Sequence, residues 1–327
     1  MTTLEQIKQP LTEEWIRYEQ YMRMALTNTN KNINDILTYV LVNRGKGVRP
    51  ALVLLMAKIH SATVELDERA YQAAMLVELV HNASLIHDDV VDQSFVRHGK
   101  KSLMGQFGSH ISIVIGDMIL ATAFLSSMKS GYYDLNTYVV EAVNRLCEGE
   151  LLQDEQTKTL GMTREAYYDI ICRKTASLFA ISAGAGALAV HAADEQVKKA
   201  WQIGYNIGMA FQIKDDILDF APESQTGKPS CGDLREHKIT LPLLTVLEKS
   251  SDEERAEILA LVRRADEDEE CVTKLCEIID AQGGKEMASQ VMNEFIDAAH
   301  ALVAEYPESP CKESLRLLCD FIGGRTL

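Results

Sequence analysis

Strand-like alternation of polar and apolar residues is scarce in this 327-residue chain, which excludes a sheet-built fold. Paired cysteine motifs are missing as well. The seven cysteines (Cys147, Cys172, Cys231, Cys271, Cys276, Cys311, Cys319) are odd in number and scattered, and Cys271 and Cys276 are five apart with no CxxC and no paired histidine nearby. A zinc knuckle or a disulfide framework is thereby disfavoured, and reduced thiols in a cytoplasm are expected. The opening "MTTLEQIKQPLTEEW" lacks an apolar stretch, so no export signal is expected. Basic residues are outnumbered, 33 against 48 acidic ones, for a net charge of −15. Such a chain is a poor partner for nucleic acid, although a local anion pocket remains open to it. Glycine-turned EF-hand loops are absent too, which argues against a calcium buffer.

What is present is helical periodicity. In 67–91 the residues Ala73, Leu76, Val77, Val80, Ala83, Ser84 and His87 trace one face, and 138–159, 164–192 and 195–220 read the same way. Gly and Pro sit mainly in joints: "NRGKGVRP" at 43–50, "RHGKKS" at 97–102, "APESQTGKPSCGD" at 221–233 and "EYPESPC" at 305–311. No low-complexity linker divides the chain, so a single all-α domain over 1–327 is expected. The uncharged stretch "TASLFAISAGAGALAVHAA", 175–193, is long enough to cross a bilayer but built of small residues. The better reading is a helix buried all round in a bundle. The acidic run "DEDEE" at 266–270 reads as a solvated loop or helix end.

Two acidic triplets carry the chemistry. "SLIHDDVVDQ" ends an apolar helix in Asp88, Asp89 and Asp92, and "FQIKDDILDF" repeats the offsets in Asp215, Asp216 and Asp219. Residues four apart share a helix face, while the middle one lies about 100° round. Buried like charges repel unless cations separate them, so the triplets are expected to face one another across a cavity with Mg²⁺ between them. That ion takes carboxylate oxygens and leaves positions for phosphate. Basic side chains recur at the joints: Lys46 and Arg49, Arg97 and His98, Lys228 and Lys238, with His81 and Lys174 on helices. Arginine matches phosphate bidentately and lysine supplies a mobile point charge.

In "GKGVRP", "ELVHNASLIHDDVVD", "RHG", "GD" at 116–117, "EGELLQ", "KTASLF", "FQIKDDILD" and "GKPSCGD…HKITLP", in that order, the chain resembles the trans-isoprenyl diphosphate synthases, of the long-chain polyprenyl type. The resemblance is strongest over 30–245. It implies a helical bundle around a deep central cavity, usually a homodimer, working with three Mg²⁺ ions when diphosphate is bound. It implies that Asp88, Asp92 and Asp215 are the main metal ligands, with Asp89, Asp216 and Asp219 completing the set. Lys46, Arg49, His81 and His98 match residues holding isopentenyl diphosphate. Arg97, Lys174, Lys228 and Lys238 match those around the allylic diphosphate, and Thr175 and Gln212 match polar groups beside the reacting carbons.

The implied reaction condenses isopentenyl diphosphate with farnesyl or geranyl diphosphate, and the product serves quinone side chains. Small Ala83 and Ser84 above Val80 imply a deep channel and a tail of about six to ten isoprene units. Phe124 and Met128 are expected to be core rather than channel floor. Transient membrane contact for product release is compatible with this, without a transmembrane span. The chain departs from the family's pattern at His98, where a second arginine is usual and Lys100 or Lys101 would compensate, and at His237, where a glycine is usual. The alternatives are a terpene cyclase-type ionising enzyme, which would not need Lys46, Arg49 and His81, and a non-catalytic partner subunit, which would lack one triplet.

Overall fold

Helices in this protein start where a short polar side chain can cap them. In the computed structural model, which describes residues 3–63, 65–97, 99–221 and 230–324, Asn30, Asp67, Ser102, Thr163, Ser251, Asp268 and Ser309 each accept a backbone N–H from the following first turn. Each cap satisfies a donor that the helix itself leaves unpaired. Asp67 thus divides the Gly- and Pro-free run after Ala51 into two helices. The "DEDEE" segment is a helix start, with Asp268 as its cap.

In chain order, α1 (Leu4–Lys8), α2 (Thr12–Ala25), α3 (Lys31–Val42), α4 (Val48–His60) and α5 (Glu68–Val91) come first. A small antiparallel hairpin follows, β1 (Val96–Arg97) with β2 (Lys100–Lys101), pairing Val96 with Lys101 and Arg97 with Lys100. It is the only sheet among the described residues. Next come α6 (Leu103–Phe107), α7 (Ser109–Lys129), α8 (Tyr133–Thr159), α9 (Arg164–Ile171), α10 (Ser177–Ala189) and α11 (Asp194–Leu218). The chain ends with α12 (Gly232–Arg235), α13 (Leu241–Leu247), α14 (Asp252–Val262), α15 (Glu269–Ala281), α16 (Gly284–Ala304) and α17 (Pro310–Gly323). The architecture is all-α, as the periodicity required.

The small-residue stretch is the centre of the bundle. Every residue of α10 except Leu188 is buried, and the helix packs on α4, α5, α8 and α11. Such proximity requires glycine on the facing helix: a Cβ at Gly204 would run into the Phe179 carbonyl, and one at Gly208 would meet Ala176 Cα at 2.5 Å. Among the described residues the helix long and apolar enough to cross a membrane is instead α7, with mean hydropathy 1.8 and only a third of it buried. Its outer face carries Ile113, Val114, Leu125 and Met128, all between 44% and 53% exposed. Met128 is therefore not a core residue, whereas Phe124 packs half-buried against the core. The difference is one of helical phase, which periodicity cannot read on a helix apolar all round.

Candidate active site

The last turn of α5 holds the first triplet. Asp92 caps the helix, its N–H bonding Asp88 O at 2.8 Å. Burial, reinforced by Glu150 and opposed by Lys174, pushes the Asp88 carboxyl up to about 6. Asp92 is raised as well, first by burial, with Lys238 opposing and Glu236 adding to the shift. Asp89 points elsewhere. It is 4% exposed and its Oδ1 accepts from Arg97 Nε at 2.9 Å and Nη2 at 2.8 Å. The hairpin arginine thus locks the middle aspartate, as its position about 100° round the helix requires.

On α11 the second triplet divides in the same way. Asp216 is buried, accepting from the Tyr167 hydroxyl at 2.6 Å and Gln212 Nε2 at 2.9 Å. Burial outweighs both bonds and raises it to about 7. Gln212 Oε1 in turn accepts from the Thr175 hydroxyl at 2.6 Å, so Thr175, Gln212, Asp216 and Tyr167 form one hydrogen-bonded chain. Asp219 takes the N–H groups of Gly232 and Asp233, each at 3.1 Å, and so anchors the short α12. The field of Asp215 reaches Arg49 across the bundle.

A π-helical turn, Cys172–Ala176, joins α9 to α10 and presents Lys174 and Thr175. Such turns widen the backbone locally and re-aim side chains. Lys174 Nζ meets Gln153 Oε1 at 2.7 Å and Glu150 Oε1 at 2.8 Å, both on α8. Lys238 pairs with Glu236, and its N–H bonds Asp233 O at 2.8 Å. His237 adopts φ +58°, the left-handed region that glycine tolerates best, and its Nε2 lies 3.2 Å from Asp266. That contact holds the turn which sets the Lys238 backbone.

Arg49 and His81 form a partly buried pair, Nη1 to Nε2 at 2.9 Å. The Arg49 guanidinium stacks on Phe179, 4.3 Å from Cζ to the ring centroid. Burial lowers it to about 10, with Glu78 and Asp215 opposing, so it stays charged at neutral pH. The same burial drives the His81 imidazole well below its ordinary range. A neutral ring accepts from Arg49 at Nε2, which leaves the proton on Nδ1. Lys46, Arg44, Arg97, Lys100 and Lys101 line a cavity of about 300 Å³ together with Asn82 and Asp89. A larger groove of about 880 Å³ between α8 and α9 contains none of the expected site residues. Ala83 and Val80 are buried on α5, and the half-buried Ser84 bonds the His81 carbonyl at 2.9 Å. His98 and Lys228 lie outside the described residues.

Among the described residues no three His, Cys, Asp or Glu side chains form a ready metal cage. The donor set nonetheless fits Mg²⁺, which is held by one or two carboxylates and completed by phosphate oxygens and water. Asp88 and Asp92 supply such oxygens. Their raised carboxyls mark a site short of positive charge, and the buried Arg49 Nε has no hydrogen-bond partner, as suits a neighbourhood built around an incoming anion.

Several members of this neighbourhood escaped the sequence reading. Glu150 and Gln153 sit in the quoted "EGELLQ" but had no role there. Tyr167 in "EAYYDII" carried no signal. Glu78, beside His81 in "ELVH", is buried and raised to about 7 by burial against the opposing fields of Arg49, Arg44 and Lys8. Lys8 comes from the N-terminal helix, where its Nζ donates to Lys46 O at 2.7 Å and lies over Trp15.

A helical bundle with two aspartate-ending helices, basic side chains between them and an apolar interior belongs to the isoprenoid synthase class of folds. The polyprenyl synthetase family model matches residues 30–279, past the 245 expected from motifs. The chain is 31% identical over 314 residues to the octaprenyl diphosphate synthase of Escherichia coli, covering 95% of this chain and 96% of the relative. It is 29% identical over 316 residues to a short chain isoprenyl diphosphate synthase of Methanothermobacter thermautotrophicus, covering 93% and 96%. A solved polyprenyl synthase of Caulobacter crescentus, complexed with calcium and isoprenyl diphosphate, superposes with TM-score 0.90 at 27% identity, covering 100% of this chain and 99% of that one. The chain belongs to the polyprenyl synthetase family and is a transferase of prenyl groups.

Proposed function

We propose that the protein is a single-domain, Mg²⁺-dependent synthase that condenses isopentenyl diphosphate with an allylic diphosphate, farnesyl or geranyl, to give a long all-trans polyprenyl diphosphate. The observation that carries the reading is the shared electrostatic neighbourhood of the two triplets: Glu236 raises both Asp92 of the first and Asp219 of the second, and Lys238, which opposes the rise of Asp92, also acts on Asp233, whose N–H holds Asp219. Metal bound at Asp88, Asp92 and Asp215 supplies Lewis acidity toward the leaving diphosphate. The chain's own groups do the rest. Arg97, Lys174, Lys228 and Lys238 hold the allylic diphosphate and take up its charge as the C–O bond breaks. Thr175 and Gln212 turn oxygen dipoles toward the allylic cation, and their mutual 2.6 Å bond fixes that orientation. Lys46, Arg49, His81 and His98 hold isopentenyl diphosphate so that its double bond attacks; a proton then passes to the released diphosphate.

Tail length follows from Val80, Ala83 and Ser84, which leave room for about six to ten isoprene units, the range of quinone side chains. The exposed apolar face of α7 supports a homodimer rather than a membrane span, because α7 packs on α5 and α8 within the bundle. Seven free thiols support a cytoplasmic setting. The test is incubation of purified protein with farnesyl diphosphate, labelled isopentenyl diphosphate and Mg²⁺, with product sizing and Asp88→Ala as control. Undiminished turnover in the variant or after chelation overturns the reading. A mass corresponding to one chain in solution overturns the dimer.

A further inference from the structure

Cys231 and Cys276 are 45 residues apart in sequence, yet their sulfurs lie 2.8 Å from each other. Both thiols are free. Cys231 opens the segment that cradles the second acidic triplet: it has φ +59°, its N–H donates to Asp219 O at 2.6 Å, and the next two N–H groups hold the Asp219 carboxylate. Cys276 lies on α15, a helix that carries none of the site residues. The two sulfurs therefore join the edge of the site to the C-terminal part of the bundle.

We propose that Cys231 and Cys276 are a peroxide-oxidisable dithiol, whose disulfide pins α12 to α15 and slows the enzyme by displacing the support of Asp219. A disulfide needs sulfurs about 2.05 Å apart, so closure moves them by only roughly 0.8 Å from their 2.8 Å contact. The Cys231 thiol donates to Cys276, and this bond favours the thiolate at Cys276. The half-buried Cys276 thiolate attacks one oxygen of hydrogen peroxide, breaking the O–O bond and releasing hydroxide, and becomes a sulfenic acid. The Cys231 thiol then attacks the sulfenic sulfur, and as the S–S bond forms its proton passes to the departing oxygen, which leaves as water. With the two thiol protons counted, two thiols and one peroxide give one disulfide and two waters. Two electrons pass from sulfur to oxygen, and a dithiol reductant reverses the change.

Closure draws Cys231 toward α15, while the hydrogen bonds from Gly232 and Asp233 to Asp219 are already 3.1 Å long. A shift of this size near reacting groups costs up to about a hundredfold in rate; shared between two supporting bonds, a loss of about tenfold is expected. The disulfide itself does not depend on the proposed reaction, whereas the loss of turnover rests on it.

The test treats the full-length protein with hydrogen peroxide, blocks remaining thiols, digests without reductant and searches for a peptide linking Cys231 to Cys276. Condensation rate is followed in parallel, with Cys276→Ser as control. The expected result is the linked peptide, a higher melting temperature in the oxidised protein, a roughly tenfold lower kcat restored by dithiothreitol, and a Cys276→Ser variant whose rate ignores peroxide. Absence of the linked peptide overturns the proposal, as does equal inactivation of Cys276→Ser. A linked peptide with unchanged kcat overturns the coupling to Asp219. A preparation without condensing activity still reports the disulfide, so the two failures are told apart.

Discussion

Replacing Glu78 by Gln tests the buried electrostatics beneath the Arg49–His81 pair. Glu78 is 2% exposed, in the middle of α5, and its carboxyl is raised from 4.5 to about 7. Burial is the main cause; Arg49, Arg44 and Lys8 oppose it, and so does a hydrogen bond from Asn82. In the unfolded chain the group releases its proton near 4.5, whereas the folded protein keeps it to about 7. Between those values the folded state binds more protons, so this group's contribution falls as pH rises and the whole penalty stands above 7. A displacement of that size corresponds to about 3 kcal/mol.

Glutamine has nearly the same shape and no charge. Urea unfolding at pH 5 should therefore find Glu78→Gln within about 1 kcal/mol of the parent. At pH 8 the variant should be the more stable by about 3 kcal/mol. Comparing the two proteins at each pH cancels the titration of Asp88, Asp216 and Asp233. Burial lowers Lys8, one of the opposing cations, to about 8, so its partial loss of charge at the upper pH adds to the penalty on an ionised Glu78. A variant equally destabilised at both pH values would refute the argument, since it would mean that Glu78 is ionised throughout and held by its cations. In that case the loss expected on breaking a buried pair is about 3–5 kcal/mol.

Ala83→Tyr puts a ring where a methyl group now sits, and product sizing should show a shorter tail; unchanged length removes Ala83 from the channel. Arg49→Lys loses both the stacking on Phe179 and the bond to His81, and the apparent KM for isopentenyl diphosphate should rise about tenfold or more, which steady-state kinetics would read. Gly204→Ala drives a methyl into the Phe179 carbonyl, with an expected loss of about 1–3 kcal/mol measurable by thermal melting.

Much of the fold was legible because helical phase and punctuation are local. The apolar faces of 67–91 and 195–220 required helices, and the Gly and Pro joints at 43–50, 97–102 and 305–311 fell at described breaks between helices. The small-residue content of 175–193 announced a helix with neighbours on all sides, as α10 proved to be. The six aspartates and their cations were visible for the same reason: spacing on a helix fixes which carboxylates share a face.

The division of labour within each triplet was not visible in the same way. Asp89 is held by Arg97 across the hairpin, and Asp216 by Tyr167 and Gln212 from two different helices. Gln212 is one turn back on the same helix and Arg97 only eight residues on, but Tyr167 lies 49 residues away on α9, and no local pattern names it. The outward phase of α7, the reach of Lys8 to Lys46, and the meeting of Cys231 with Cys276 were settled in the same way. By itself the chain determined which residues form helices and which side chains share a face, because both follow from 1.5 Å of rise and about 100° of turn per residue. Only the packed bundle decided which faces meet, because that depends on close approach between helices that are distant in sequence, permitted at residues such as Gly204 and Gly208 and forbidden elsewhere.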